Sequence, residues 1–227
     1  MRSSADPSIS PKSSSRRLAD GFTVWNRKLH YYLGLYLLLF LWLFAFTGLL
    51  LNHSSWGFTQ FFPNRRISDF ERAIRPPVPA PDLDQARDLM RQVGIEGEIA
   101  WSVARPDPAR LDFNVSQPGR NYQIQADLKQ GRARVTLTEF NVWGTIRTLH
   151  TFVGVNPDDA RNRRDWILTT VWALSMDAVA AGVGFMVLSS LYMWWGLKDK
   201  RKPGLIALAL GIAACGVFVF GLRWLYG

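Results

Sequence analysis

The sequence predicts a membrane α-helical protein that has three transmembrane helices and a small α+β domain between the first and the second of them. Two observations carry this fold class. The apolar residues of the 227-residue chain fall into blocks, one near residues 30–52 and the others within residues 166–226. A stretch of ordinary globular composition separates the blocks, and it is long enough for one small core.

The first span is predicted at residues 25–53. The run from His30 to Asn52 contains no charged residue and is long enough to cross a bilayer with some tilt. Trp25 and Trp56 mark its two interfaces. Residues 1–24 are serine-rich and basic, and we expect them to form a disordered cytoplasmic tail.

The segment 54–165 is predicted to fold as one helix on an antiparallel meander. An apolar stripe at helical spacing begins at Asp82 or Asp84 and stops at Gly94. Alternating runs joined by turn-forming residues follow it and predict strands at 99–103, 111–115, 122–128 and 133–137. Residues 140–154 then form an apolar and aromatic helical face, which we expect to lie on the outer membrane surface.

The second span is predicted within residues 166–196 and the third at residues 205–227. The block 166–196 exceeds the length that a bilayer needs, so we place the membrane segment at about 177–196 and an outer extension before it. A basic cytoplasmic loop, 197–204, joins the two spans. Both spans are rich in small residues, so we expect them to pack closely against each other.

The net charge of +9 belongs to the flanks of the spans and does not form one patch for nucleic acid. Residues 1–29 carry +4 and the loop 198–202 carries +3, whereas the long segment 54–165 carries only +2. Short basic segments stay in the cytoplasm, so the N-terminus is expected inside. The 54–165 domain and the C-terminus then face outward, which in a Gram-negative cell places them in the periplasm.

Several kinds of site are excluded by the residues present. Cys215 is the only cysteine, so the chain forms no intrachain disulfide, and it lacks the motif that attaches a c-type haem. We find neither a defensible Ser-His-Asp order nor a glycine-rich phosphate loop. We therefore assign no catalytic residue and expect any chemistry to come from a cofactor.

All three histidines of the chain fall at predicted membrane boundaries. His30 and His53 bracket the first span and should lie roughly 35 Å apart, too far to share one metal or porphyrin. His150 lies on the same side as His53, so these two could be the axial ligands of one b-type haem. The alternative interpretation is that boundary histidines are tolerated as amphipathic residues and bind nothing.

Three charged residues could support such a site. Asp177 is the only acid within an apolar block, where an ionisable group is costly. It should reach the same depth as Arg223, so the favoured interpretation is an ion pair between the second and third spans. Asp177 could instead orient a ligating histidine. Arg147, one turn before His150, could meet a haem propionate or could be an exposed interfacial arginine.

The arrangement resembles the PepSY-associated transmembrane helix family. The resemblance is carried by "WNRKLHYYLGLYLLLFLWLFAFTGLLLNH", by "RTLHTFVG" and by an Asp-bearing span that ends in "LYMWWGL", and it covers residues 25–53, 143–154 and 172–197. It implies a PepSY-like domain between the spans. It also implies an inner-membrane haem protein that reduces ferric iron or ferric siderophores in the periplasm, with His30, His53 and His150 as ligands.

This chain departs from the larger members of that family, because a two-haem protein needs four histidines and the chain has three. A homodimer could supply the fourth, with His30 from each copy on an inner haem. Otherwise only the outer haem exists. The expected function is therefore haem b electron transfer in iron acquisition, with one or two haems, an unknown electron donor and membrane lipid as partners, and no nucleic acid. Arg147, Arg161, Arg163 and Arg164 could attract an anionic ferric chelate.

The alternative function is a cofactor-free module, anchored in the membrane, whose outer domain binds or regulates a periplasmic partner. On that reading the spans serve only as an anchor, and the histidines carry no iron.

Overall fold

The computed structural model describes residues 14–53, 55–60, 63–221 and 224. It divides into a helical unit, residues 1–39 with 179–227, and a sheet unit, residues 40–178, so that the boundary falls inside the first and the fourth helix. The helices are α1 (Ser14–Asn52), α2 (Asp82–Val93), α3 (Val142–Thr151), α4 (Ile167–Gly196) and α5 (Arg201–Gly216). The strands are β1 (Arg66–Ala73), β2 (Glu98–Asp107), β3 (Arg110–Gln117), β4 (Arg120–Asp127) and β5 (Arg132–Glu139).

Three helical segments of the described chain are long and apolar enough to cross a membrane. They are Asp20–Asn52 of α1, the whole of α4, and Lys198–Gly221, which contains α5. The prediction of three such segments, with an antiparallel sheet domain between the first two, is confirmed.

The ends of these helices differ from the predicted ones. α1 begins at Ser14, so residues 14–24 are helical and not the expected disordered tail, while residues 1–13 lie outside the described part of the chain. No proline interrupts the sequence between Ser14 and Asn52, so the helix can continue through these residues. α4 is one helix of 30 residues, in which the predicted outer extension is continuous with the span.

The connection between α4 and α5 is shorter than predicted. Leu197 leaves the helical conformation, one 3-10 turn follows at Lys198–Lys200, and α5 begins at Arg201. The Trp194 indole N–H donates to the Lys200 carbonyl at 3.1 Å and closes the corner. None of the residues in the most apolar window of Lys198–Gly221 is buried within the described chain, so the expected close packing of the last two spans is not found there.

The sheet has five antiparallel strands in the order β1-β5-β4-β3-β2. The strands β2 to β5 are the predicted meander, somewhat longer at their ends. The strand β1 pairs with β5 over its full length and was not predicted. It lies at the edge of the sheet, where Phe70 is half-buried and the other residues of the strand are exposed, so its sequence lacks the alternation that marks a half-buried strand.

The core of the sheet unit lies between α2 and one face of the sheet. Strands β3, β4 and β5 direct alternate apolar side chains to this face, including Leu111, Ile124 and Val135, all fully buried. Leu89 and Val93 of α2 cover them. The helix ends where predicted, because Gly94 adopts a left-handed conformation with φ of 77° and its N–H closes the last turn.

The β2 edge of the sheet is covered by the segment 154–166 that leads into α4. Asn156 is buried and donates from Nδ2 to the Ile99 carbonyl of the edge strand at 3.0 Å. Arg87 of α2 ties the same segment down through ion pairs with Asp159 and with Asp165, the latter at 2.6 Å. The hydrogen bond from Asn156 occupies one backbone carbonyl of this edge strand.

The Arg87 ion pairs are formed by nearly buried groups, since 13% of the Arg87 side chain and 5% of the Asp159 side chain are exposed. Burial opposes the charge on Arg87, yet its carboxylate partners raise its pKa overall. A backbone N–H from Arg161, and then Arg87 itself, lower the pKa of Asp159 to about 2. Arg87 and Asp159 therefore remain ionised across the physiological range.

Replacing Arg87 with methionine should lower the melting temperature of the sheet by roughly 5 °C or more, because two nearly buried carboxylates lose their partner. The measurement is thermal unfolding of the full chain, followed by the infrared amide I band of the sheet. Arg91→Met is the matched control, because Arg91 is 74% exposed and makes only long contacts, with Asp88 and with the Arg87 carbonyl, each at 3.4 Å. Equal losses in the two variants would contradict this account of the network.

Candidate functional site

The side chain of His150 reaches from α3 to α1. Its Nδ1 lies 2.7 Å from the hydroxyl oxygen of Thr47, and Thr47 is 1% exposed. The Phe44 ring is 5.2 Å from the imidazole, and Gly48 lies directly beside the imidazole Cε1. One predicted ligand is thus fixed against the C-terminal part of α1, within the sheet unit.

The other contacts of Thr47 determine the tautomer of His150. The single hydroxyl proton of Thr47 is donated to backbone carbonyls one turn earlier, to Leu43 at 2.8 Å and to Phe44 at 3.2 Å. With the proton directed to these carbonyls the oxygen can accept from the imidazole, and we infer the tautomer of His150 that carries its proton on Nδ1. The lone pair of a neutral imidazole is then on Nε2, the nitrogen that a metal would use.

The two sides of α3 contact different partners. Trp143 lies on the same face of α3 as His150. The centroid of its ring is 6.4 Å from that of Phe46 on α1. Thr148 lies roughly 160° around the helix from His150, and it lines a cavity of about 300 Å³ together with Glu98. The helix α3 therefore lies between the end of α1 and the end of the sheet.

His53 follows the last residue of α1 and is exposed. Its ring stacks on Trp56, with 4.5 Å between centroids and 3° between planes. At about 100° per residue, His53 lies roughly 180° around the helix from Phe44 and about 140° from Gly48. The predicted pairing of His53 and His150 as ligands of one haem stays a prediction.

In the helical unit, His30 lies beside a serine of α4. Its Nδ1 is 3.1 Å from the hydroxyl of Ser189, which is buried. One turn earlier on α1, Asn26 is 3% exposed, and its side-chain N–H group has no hydrogen-bond partner within the described chain. His30 is therefore part of a small polar cluster inside an otherwise apolar contact.

The structure describes some, but not all, of the remaining candidate residues. Asp177 is exposed on α4, and Arg223 lies outside the described residues, so the predicted ion pair stays a prediction. Arg147 is half-buried on α3, one turn before His150. Arg163 is engaged with Asp84 and Asp159, at 3.3 and 3.4 Å, so it belongs to the Arg87 network.

Glu98 is a buried carboxylate that the sequence analysis did not single out. It is 4% exposed, and its two oxygens accept the backbone N–H groups of Asp165 and Trp166 at 2.8 and 3.0 Å, just before α4 begins. Gly154, with φ of 67°, packs against Glu98 and Thr169, where a side chain would collide. Burial raises the pKa of Glu98 above its usual value, although the backbone donors oppose the shift.

No cluster of three or more metal-binding side chains of the His, Cys, Asp or Glu type occurs in the part of the chain that the structure describes. Ligation of iron by imidazole alone, as in a bis-histidine haem, needs only two such groups. His150 is held through Nδ1, which leaves Nε2 as the nitrogen that could bind the iron of a haem.

Comparison of the chain with protein-family models, with curated proteins and with solved structures finds no match.

Because the pKa of Glu98 is raised, its contribution to the free energy of unfolding depends on pH. The folded protein holds the Glu98 proton more tightly than the unfolded chain, so this contribution is complete below the ordinary pKa of about 4.3 and is lost as pH rises through the folded pKa. Glu98→Gln does not titrate and places an amide N–H against a backbone donor, which costs about 1–3 kcal/mol. The stability difference between wild type and Glu98→Gln should be larger at pH 4 than at pH 8.

Melting temperatures of the two proteins at both pH values check this expectation. Glu71→Gln, on the exposed strand β1, controls for the loss of a negative charge. A difference that grows with pH would contradict the assignment.

Proposed function

We propose that the chain is a haem b protein of the bacterial inner membrane that passes single electrons to ferric iron or a ferric chelate. His150 is one axial ligand of the haem. The observation that carries this proposal is the hydrogen bond between Thr47 and Nδ1 of His150, because it holds the ring in one orientation and leaves Nε2 as the nitrogen for a metal. The resemblance of the histidine-bearing segments to PepSY-associated membrane proteins supports the same function.

The residues of the chain provide binding and orientation. Thr47 fixes the ring of His150, and Phe44 and Gly48 border it with apolar surface. Arg147, one turn before His150, is the candidate for a haem propionate. A bound haem supplies the one-electron chemistry, since its iron alternates between the ferric and the ferrous state.

His53 from a neighbouring copy of the chain would be the second residue that holds the haem. Helical spacing along α1 indicates that His53 of one chain points away from Phe44 and Gly48, the neighbours of His150. In a homodimer the exposed His53 of one copy can face His150 of the other. His30, next to Ser189, is the candidate ligand for a second haem between copies.

The direction of electron flow follows from the charges beside the spans. The basic residues near the N-terminus and in residues 198–202 favour a cytoplasmic location for both segments. The sheet unit, a PepSY-like domain on this proposal, then faces the periplasm together with His150. Ferric iron would be reduced at that face for uptake.

The absorption spectrum of the full chain purified from haem-replete cells tests the proposal. Wild type should show the Soret and α bands of a low-spin bis-histidine haem that shift with dithionite, and His150→Ala should lose them. Thr47→Val should weaken haem retention roughly tenfold, because the ligand loses its orienting partner. Thr148→Val, on the opposite side of α3, is the matched control and should retain haem.

Mixed dimers test the pairing between copies. His53→Ala and His150→Ala should each be colourless alone, whereas a dimer purified with one copy of each should recover one haem site. A colourless wild type would favour the cofactor-free anchored module. Failure of the mixed dimer, with wild type coloured, would contradict ligation between copies.

A further inference from the structure

A second site lies at the end of the sheet where α3 begins. A cavity of about 420 Å³, here called the basic pocket, opens between the start of β1, the β3–β4 turn and the first turn of α3. The strand register places Arg66, Glu139 and Arg120 side by side across three neighbouring strands at this end. Asn64 and Thr145 add polar groups to its wall. None of these residues takes part in the histidine site.

The charges of the basic pocket favour an anion. Two guanidinium groups and one carboxylate line it, and the carboxylate of Glu139 is already paired with Arg120 at 3.0 Å. Arg66 adds its positive charge to this pair, so the pocket has a net charge of +1. Planar guanidinium groups suit the oxygens of a phosphate, to which they can donate two hydrogen bonds at once.

The position of the basic pocket indicates the source of the phosphate. The side chain of Asn141 in its wall donates to the Gln60 carbonyl, at 3.5 Å, in the segment that leaves α1. Two residues further on, Trp143 contacts Phe46, which is within the last two turns of α1. If α1 crosses the bilayer, the pocket lies at the level where the span leaves the hydrocarbon and meets the headgroups.

We propose that the basic pocket binds the phosphate of an anionic phospholipid. The bound lipid fixes the sheet unit on the membrane surface, with α3 between the headgroups and α1. The electrostatic attraction between each arginine and an anionic headgroup is strong enough to favour an anionic lipid over a zwitterionic one. The proposal needs α1 to span the bilayer and does not depend on haem.

Native mass spectrometry of the full chain in a non-ionic detergent tests this site. Titration with phosphatidylglycerol should give a bound lipid at lower concentration than titration with phosphatidylcholine. Arg66→Gln should weaken phosphatidylglycerol binding about fivefold, and the double variant with Arg120→Gln should weaken it further. Glu139→Gln removes the only carboxylate of the pocket and should strengthen binding by a similar factor.

The control is Arg132→Gln, which removes an arginine from the opposite end of β5, where the side chain is 70% exposed. It should leave lipid binding unchanged. A loss equal to that of Arg66→Gln would mean that overall charge, and not the pocket, attracts the lipid. Displacement of the lipid by inorganic phosphate would assign the pocket to a free anion and overturn the lipid assignment. Melting curves establish that the Arg66 and Arg120 variants remain folded, as expected for exposed side chains.

Discussion

The hydrogen bond from His150 to Thr47 joins a short helix of the sheet unit to a helix that is apolar enough to span a membrane. The imidazole is half-buried, whereas the Thr47 hydroxyl that it meets is on a residue that is 1% exposed. Thr47 accepts from the ring while donating its own proton along α1. A threonine in the middle of an apolar run thus becomes the acceptor that orients the imidazole.

The same constraint explains how α3 is held. One side of the helix contacts α1 through Trp143 and His150, and the other contacts the end of the sheet through Thr145 and Thr148. A rotation of α3 about its axis would break contacts on both sides at once. A ligand on His150 would therefore be held by a helix whose orientation is fixed by contacts on both of its sides, as precise ligation requires.

The sheet unit is also tied to the start of α4. Glu98 accepts the backbone N–H groups just before that helix, and Arg87 holds the preceding segment through Asp159 and Asp165. These contacts bury charge in the middle and at the end of the segment 154–166. Movement at the start of α4 would therefore strain the β2 edge of the sheet, which this segment covers.

The sequence predicted those features that depend on local periodicity and composition. The three apolar helices follow from hydropathy, and α2 follows from its apolar stripe and from Gly94. The strand β1 was missed because an exposed edge strand carries charges on both faces. Thr47 and Glu98 were missed because their partners lie 103 and 67 or more residues away, a separation that no local pattern encodes. The helical start at Ser14 was missed because composition alone suggested disorder.

The position of the proton on His150 tests the central claim most directly. In the haem-free full chain, in lipid nanodiscs at neutral pH, the side-chain ¹⁵N shifts of His150 should show a protonated Nδ1 and an unprotonated Nε2. Thr47→Val should remove that preference. A wild-type ring protonated on Nε2 would contradict the account, because the nitrogen required for iron would then carry a proton.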